Sequence, residues 1–304
     1  MKKHFKFILL TILIFLPVLI LSSDNIRKPL TIDDYFEIKS VGDPQISPDG
    51  KWVAFTLRTY DLKMDKTETG LWMIPASGGE SIPMTAKGYS ASLPRWSPDG
   101  KYLSFLAAKN EEDKPQVWTL NRLGGEARQI TKIKQGVSGY EWSPDGKRLL
   151  LMLKDPRPEE LTKDKADDKK PKPHVIDRLQ FKMDNEGYLD RFRTHLYICN
   201  PGDSIATQIT SGDYDDAQPV WHPNGKSIAF VSNRTANPDG NTNMDIWIVS
   251  ADNTDKGQTL LQITKNPGSD TSPVWSPDGK HLAYITVTDL EAMWYATNHL
   301  AIQA

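Results

Sequence analysis

"PRWSPDGKYLSFLA", residues Pro94 to Ala107, sets a tryptophan, a tight polar turn and an apolar run side by side. Pro98 fixes φ at the second position of a type I turn. Asp99 suits the third position, and Gly100 can take the left-handed conformation that ends such a loop. Strand-forming residues flank the turn, so the stretch reads as a β-hairpin. Near copies begin at Pro44 ("PQISPDGKWVAFTL"), Tyr140 ("YEWSPDGKRLLLML"), Pro219 ("PVWHPNGKSIAFVS") and Pro273 ("PVWSPDGKHLAYIT"). Asn224 replaces the aspartate in one copy and keeps the turn chemistry. A catalytic motif is normally present once, so five copies point to architecture.

A second element follows each of the first four hairpins. It reads "GLWMIPASGGESIPMT" from Gly70, "QVWTLNRLGGEARQIT" from Gln116, "HLYICNPGDSIATQIT" from His195 and "DIWIVSADNTDKGQTLLQIT" from Asp245. Each is an aromatic-centred strand, a polar turn and a shorter strand ending in threonine. One unit is therefore four strands. The turn glycines stand at 50, 100, 146, 225 and 279, at intervals of 50, 46, 79 and 54. Four strands per unit at this spacing predict an all-β fold, a β-propeller of four-stranded blades. The tryptophans at 96, 142, 221 and 275, with Ile46 in the first copy, are large apolar bodies suited to packing between blades.

The hairpins fall near 44–57, 94–107, 140–153, 219–232 and 273–286. After the fifth, residues up to Ala304 supply one more strand. About four and a half blades are thus expected, as an incomplete ring over 24–304 whose open blade edges favour self-association. The longest interval holds an insertion at 154–185. Of the 20 residues Lys154 to Pro173, 13 are charged, a composition that stays solvated. The more aromatic stretch from His174 suits an ordered hairpin lying over a neighbour. "LTIDDYFEIKS", from Leu30, suits a short helix capped by Thr31.

Lys2, Lys3 and Lys6 precede an apolar run from Phe7 to Leu21 and then Ser22-Ser23. This pattern predicts a signal peptide at 1–23, and hence export to the periplasm or the extracellular space, with no membrane attachment after cleavage. The net charge of −2 gives no reason to expect nucleic acid as a partner. Cys199 is the only cysteine, so no internal disulfide forms, and its apolar surroundings suit a buried thiol.

The repeats "WSPDGKYLSF" and "VWSPDGKHLAY" resemble the propeller repeats of secreted prolyl oligopeptidase-type serine peptidases. The acylaminoacyl-peptidase and dipeptidyl-peptidase branch is the most similar. Stretches outside the repeat carry the same resemblance: "VGDPQISPDGKWVAF" at Val41, "VIDRLQFKMDNEGYLDR" at Val175, "TSGDYDDAQPVW" at Thr210 and "SNRTANPDGNTNMDIWIVS" at Ser232. The resemblance covers the chain from about Leu30 onward. It implies a propeller that precedes an α/β-hydrolase domain with a Ser-Asp-His triad and gates peptide access to it. The sequence departs from that pattern by stopping before such a domain.

The chain contains no G-x-S-x-G, the turn that presents a nucleophilic serine in that fold. Its six histidines show no metal spacing. No catalytic residue, cofactor or metal is therefore expected, and the chain alone is expected to be inactive. "DGNTNMD", from Asp239, lacks the glycine and glutamate of a calcium loop and reads as a polar loop. Asp215 and Asp216 enter an innermost strand where a peptide's amino end would pass. Arg178, Arg191 and Arg193, in and beside the insertion, suit a peptide carboxylate. The expected function is a non-catalytic, substrate-gating propeller whose partners are peptides or a hydrolase domain. The alternative is a periplasmic interaction propeller of the Tol type.

Overall fold

The computed structural model describes residues 29–88, 90–110, 113–156, 175–184, 187–289, 291 and 295–304. The expected signal peptide and most of the charged stretch, 157–174, lie outside the described residues. The chain divides into two units, 1–38 and 39–304. In the first, the described residues hold one helix, α1 (Ile32–Phe36). Thr31 caps it as expected: its hydroxyl accepts from the Asp34 amide at 3.4 Å, while the Asp34 carboxylate accepts from the Thr31 amide at 2.7 Å. No described helix is long and apolar enough to cross a membrane.

The second unit is a β-propeller. Blade 1 is β1 (Ser40–Ile46), β2 (Trp52–Asp61), β3 (Lys66–Pro75) and β4 (Ile82–Pro83). Blade 2 is β5 (Ala91–Trp96), β6 (Tyr102–Ala107), β7 (Gln116–Asn121) and β8 (Arg128–Gln129). Blade 3 begins with β9 (Gly139–Trp142) and β10 (Leu149–Lys154). A small hairpin intervenes, β11 (Lys182–Met183) with β12 (Gly187–Tyr188), before β13 (Thr194–Cys199) and β14 (Thr207–Gln208) complete the sheet. Blade 4 is β15 (Asp216–Trp221), β16 (Ser227–Ser232), β17 (Asp245–Ser250) and β18 (Leu261–Gln262). Blade 5 has three strands among the described residues, β19 (Asp270–Trp275), β20 (Leu282–Val287) and β21 (Asn298–Gln303). All pairings are antiparallel, and the innermost strand of each blade after the first packs against the preceding blade.

The core lies between blades, with one buried cluster at each of the four interfaces. This explains why second strands such as "LLLMLK" are apolar throughout. Leu149, Leu151 and Leu153 face blade 2, while Leu150 faces blade 4, because neighbouring side chains on a strand point to opposite faces.

The turn repeat has a hydrogen-bonding logic in which the serine matters as much as Pro-Asp-Gly. In blade 3 the Ser143 hydroxyl donates to Asp145 Oδ1 at 2.6 Å and accepts from the Arg148 amide at 2.9 Å. Asp145 Oδ1 also accepts from the Lys147 amide at 3.1 Å. Ser47, Ser97 and Ser276 make the same contacts in their own turns. These donors hold the carboxyls of Asp49, Asp99, Asp145 and Asp278 below their ordinary range. The glycine at each turn is left-handed, with φ of 69° at Gly146. The turns also stack: a Cβ on Gly100 would touch Pro48, one on Gly146 would touch Pro98, and one on Gly225 would touch Pro144.

The threonine that ends each repeat closes the outer part of the blade. Thr85, Thr131, Thr210 and Thr264 accept, through Oγ1, from the amides of Leu71, Val117, Leu196 and Ile246 at 2.9–3.0 Å. The X-Pro pairs of the innermost strands mark bulges. Asp43, Leu93, Gln218 and Ser272 have φ of 45–55°, and the register slips at each. Blade 3 carries Tyr140 where the others carry proline, and β9 pairs without a slip.

Candidate functional site

The innermost strands all run the same way, so their SPDGK turns lie on one face of the propeller and their first residues on the other. On that second face, blades 3 and 4 and the inserted segment build a dense charged mouth. Arg178 bridges the inserted segment to blade 4. Its Nε and Nη2 donate to Asp239 at 2.8 and 2.7 Å, and its Nη1 donates to Asp213 at 3.1 Å. Arg193, just before β13, donates to Asp213 at 2.9 Å and to Asp215 at 3.0 Å. Two planar guanidinium forks thus share the Asp213 carboxylate. Arg178 holds the Asp239 carboxyl below its ordinary range.

Asp215 and Asp216 are adjacent but differ in environment. The Asp215 side chain is 55% exposed, and its carboxylate also accepts from the Thr194 amide at 2.8 Å. Asp216 is buried. Its Oδ1 accepts from Arg234 Nη2 at 2.6 Å, and its Oδ2 lies 3.3 Å from His195 Nδ1. The Arg234 guanidinium is packed over the rings of Tyr214, Phe230 and Trp247. Asp216 therefore neutralises an internal cation, while Asp215 faces solvent. Arg191 pairs with Asp177 and remains 59% exposed.

The other imidazole nitrogen of His195 lies 3.6 Å from Asp155, whose carboxyl is pushed up by burial and drawn back by His195. The Asp155 amide donates to the Arg193 carbonyl at 2.7 Å. The two ends of the inserted segment are thereby tied together at the base of the mouth. Arg193 was visible in the sequence as a charge beside Arg191, but His195 was not singled out. Their role depends on strands from two blades meeting, and no spacing in the chain records that.

Arg178, Arg191, Arg193, Asp215 and Asp239 help wall a cavity of about 420 Å³ whose apolar lining includes Val175, Phe181, Met183 and Phe192. A second cavity of about 420 Å³ lies beyond Arg178, Arg193, Asp215 and Asp239, which border both. Of the residues expected at the site, Arg178, Arg191, Arg193 and Asp215 border the first cavity, and Asp216 sits behind it. Among the described residues, no group of three or more His, Cys, Asp or Glu is placed to hold a metal ion. Asp239 of the polar loop is held by Arg178.

No family model matches the chain. It is 31% identical over 280 residues to dipeptidyl-peptidase 5 of Porphyromonas gingivalis, an alignment covering 86% of this chain and 40% of that one. It is 32% identical over 224 residues to the uncharacterized peptidase YuxL of Bacillus subtilis, covering 73% of this chain and 34% of the relative. This is a propeller with peptidases among its sequence relatives. The fold of the uncomplexed acylaminoacyl peptidase of Pyrococcus horikoshii superposes with a TM-score of 0.62 at 19% identity, over 88% of this chain and 39% of that one. The propeller thus spans 34–40% of the length of these two relatives.

Proposed function

We propose that this propeller is the non-catalytic, substrate-gating part of an exported serine peptidase acting on peptides. The observation that carries the reading is its kinship with a dipeptidyl-peptidase through 86% of its length, in a sequence without G-x-S-x-G. The mouth supports it chemically. Asp215 offers carboxylate oxygens to a peptide ammonium. Arg191 offers a half-exposed guanidinium to a peptide carboxylate, and Arg178 holds the inserted segment in place between them. Phe181 and Phe192 supply apolar walls for side chains. Gating here means admission by size and charge at the mouth, with bond cleavage left to a hydrolase domain. The lysine-led apolar run at the amino end is the basis for proposing export.

The test has two arms. The purified 304-residue chain is assayed against dipeptidyl and acyl-aminoacyl chromogenic substrates, with and without a fluorophosphonate. No turnover is expected, and fluorophosphonate-sensitive turnover would overturn the non-catalytic assignment. Binding of fluorescent peptides is then measured by anisotropy. Peptide binding that weakens in Asp215→Asn is expected, and no binding of any peptide would overturn the gating role.

A further inference from the structure

His195 is buried at the base of the mouth, and both of its ring nitrogens face carboxylates. Nδ1 lies 3.3 Å from Asp216 Oδ2, and Nε2 lies 3.6 Å from Asp155 Oδ2. An ionised carboxylate only accepts hydrogen bonds, and a neutral imidazole carries one N–H and one lone pair. A neutral ring therefore leaves one of the two carboxylates facing a lone pair. Both contacts are satisfied together when both nitrogens carry a proton. Imidazole is the side-chain group that ordinarily changes charge near neutral pH.

The two contacts differ in what supports them. Asp216 is buried and keeps Arg234, from the segment after β16, as a partner at 2.6 Å. Asp155 makes the longer contact, and its side chain is 30% exposed, so its carboxylate can turn to water. When the ring loses a proton, the remaining N–H stays with Asp216, and the Asp155 contact is the one given up. The other described ionisable groups around this pair are Arg193 before β13, Asp215 beside Asp216 and Tyr197 on β13.

Asp155 matters to the mouth through Arg193. Its Oδ2 accepts from the Arg193 amide at 3.2 Å, and its own amide donates to the Arg193 carbonyl at 2.7 Å. The Arg193 guanidinium holds Asp213 and Asp215, and the Thr194 amide donates to Asp215 at 2.8 Å. Three consecutive residues, Arg193, Thr194 and His195, thus set the position of Asp215. We infer that His195 is a proton-operated positioning residue: with both nitrogens protonated it fastens Asp155, and through Arg193 the Asp215 carboxylate, and this fastening is lost as pH rises. The consequence for peptides rests on the peptide-gating reading. The fastening does not.

Amide hydrogen exchange of the 304-residue chain is measured at about pH 6 and about pH 9, normalised to the intrinsic rate at each pH. Protection at Asp155, Arg193 and Thr194 should fall at least about tenfold more than at Leu196 and Ile198. Asp155→Asn should remove most of that difference, because a carboxamide can accept from a protonated ring and donate to a neutral one. Ring nitrogen NMR should show both His195 nitrogens protonated at the lower pH and one proton lost where protection falls. The His195 signals are assigned by replacing the remaining histidines in turn. A singly protonated ring at the lower pH, protection that does not change with pH, or an equal change in folded Asp155→Asn would overturn the inference. Fluorescent-peptide affinity should fall at least about threefold over the same range, and less in Asp155→Asn. Unchanged affinity while the three amides lose protection would overturn the positioning of Asp215. Failure of every peptide to bind would remove the gating reading, and the exchange and NMR results would decide the fastening on their own.

Discussion

The Trp142 indole of blade 3 donates to the Ser104 hydroxyl of blade 2 at 2.8 Å. The same hydroxyl donates to the Arg95 carbonyl at 2.9 Å and lies 2.9 Å from the Tyr140 hydroxyl. One small side chain thus joins two blades through a buried polar knot. Replacing it with Ser104→Ala leaves the Trp142 N–H without its acceptor in an apolar interface. A loss of about 2 kcal/mol is expected, measured by urea unfolding.

The equivalent knots are missing farther round the ring, and the pairing register shows why. Ser104 pairs with Arg95 as Ala229 pairs with Val220, so Ala229 stands in the serine's place in blade 4. Trp275, the next blade's tryptophan, has a buried Nε1 with no partner. Ala229→Ser should supply the acceptor and stabilise the chain by about 1 kcal/mol. A lower midpoint in the same unfolding assay would show that the serine's added oxygen does not fit.

The turn carboxylates set an acid limit on stability. Their pKa values are depressed in the folded state, chiefly by the turn serines. Groups of that kind contribute stability that is present above the unfolded value, about 3.9, and is lost as pH falls through the folded one. Thermal midpoints should therefore drop steeply below about pH 4. Asp145→Asn should shallow that drop, as Asn224 already does for its own turn, where Oδ1 accepts from the Lys226 amide at 2.9 Å.

Arg95 links the innermost strands of three blades, donating to Glu141 at 2.7 Å and to Asp43 at 3.2 Å. Burial pushes the Glu141 carboxyl up, and Arg95 opposes the shift. Arg95→Met removes that opposition, so the folded-state value rises further. A raised carboxyl favours the folded state at low pH, and that advantage disappears as pH climbs through the folded value. The variant should lose about 2 kcal/mol at pH 8 and less at pH 5, and Arg95→Met/Glu141→Gln should recover part of the loss.

The Cys199 thiol is buried, and burial pushes its pKa up to about 12. Ellman's reagent should react with it slowly in native protein and rapidly in denatured protein. Fast native labelling would show that the interface between blades 2 and 3 opens readily.

Much of this architecture was legible in the chain because it is local. A hairpin needs Ser-Pro-Asp-Gly-Lys within a few residues, and turn chemistry acts over that span. The same holds for the Thr31 cap and for the threonines that close each repeat. The candidate site was legible only in fragments. Asp215, Arg178 and Arg191 were visible as charges, but nothing in their spacing distinguishes Asp215 at the rim from Asp216 buried against Arg234 and His195.

By itself, then, the sequence determined the repeating sheet, its turns and the alternation that buries both faces of the middle strands. Which charges neutralise one another and which face solvent was decided only when blades packed side by side. Pairing of that kind depends on distances of a few ångströms between residues far apart in the chain, and on how much water the packing removes from each.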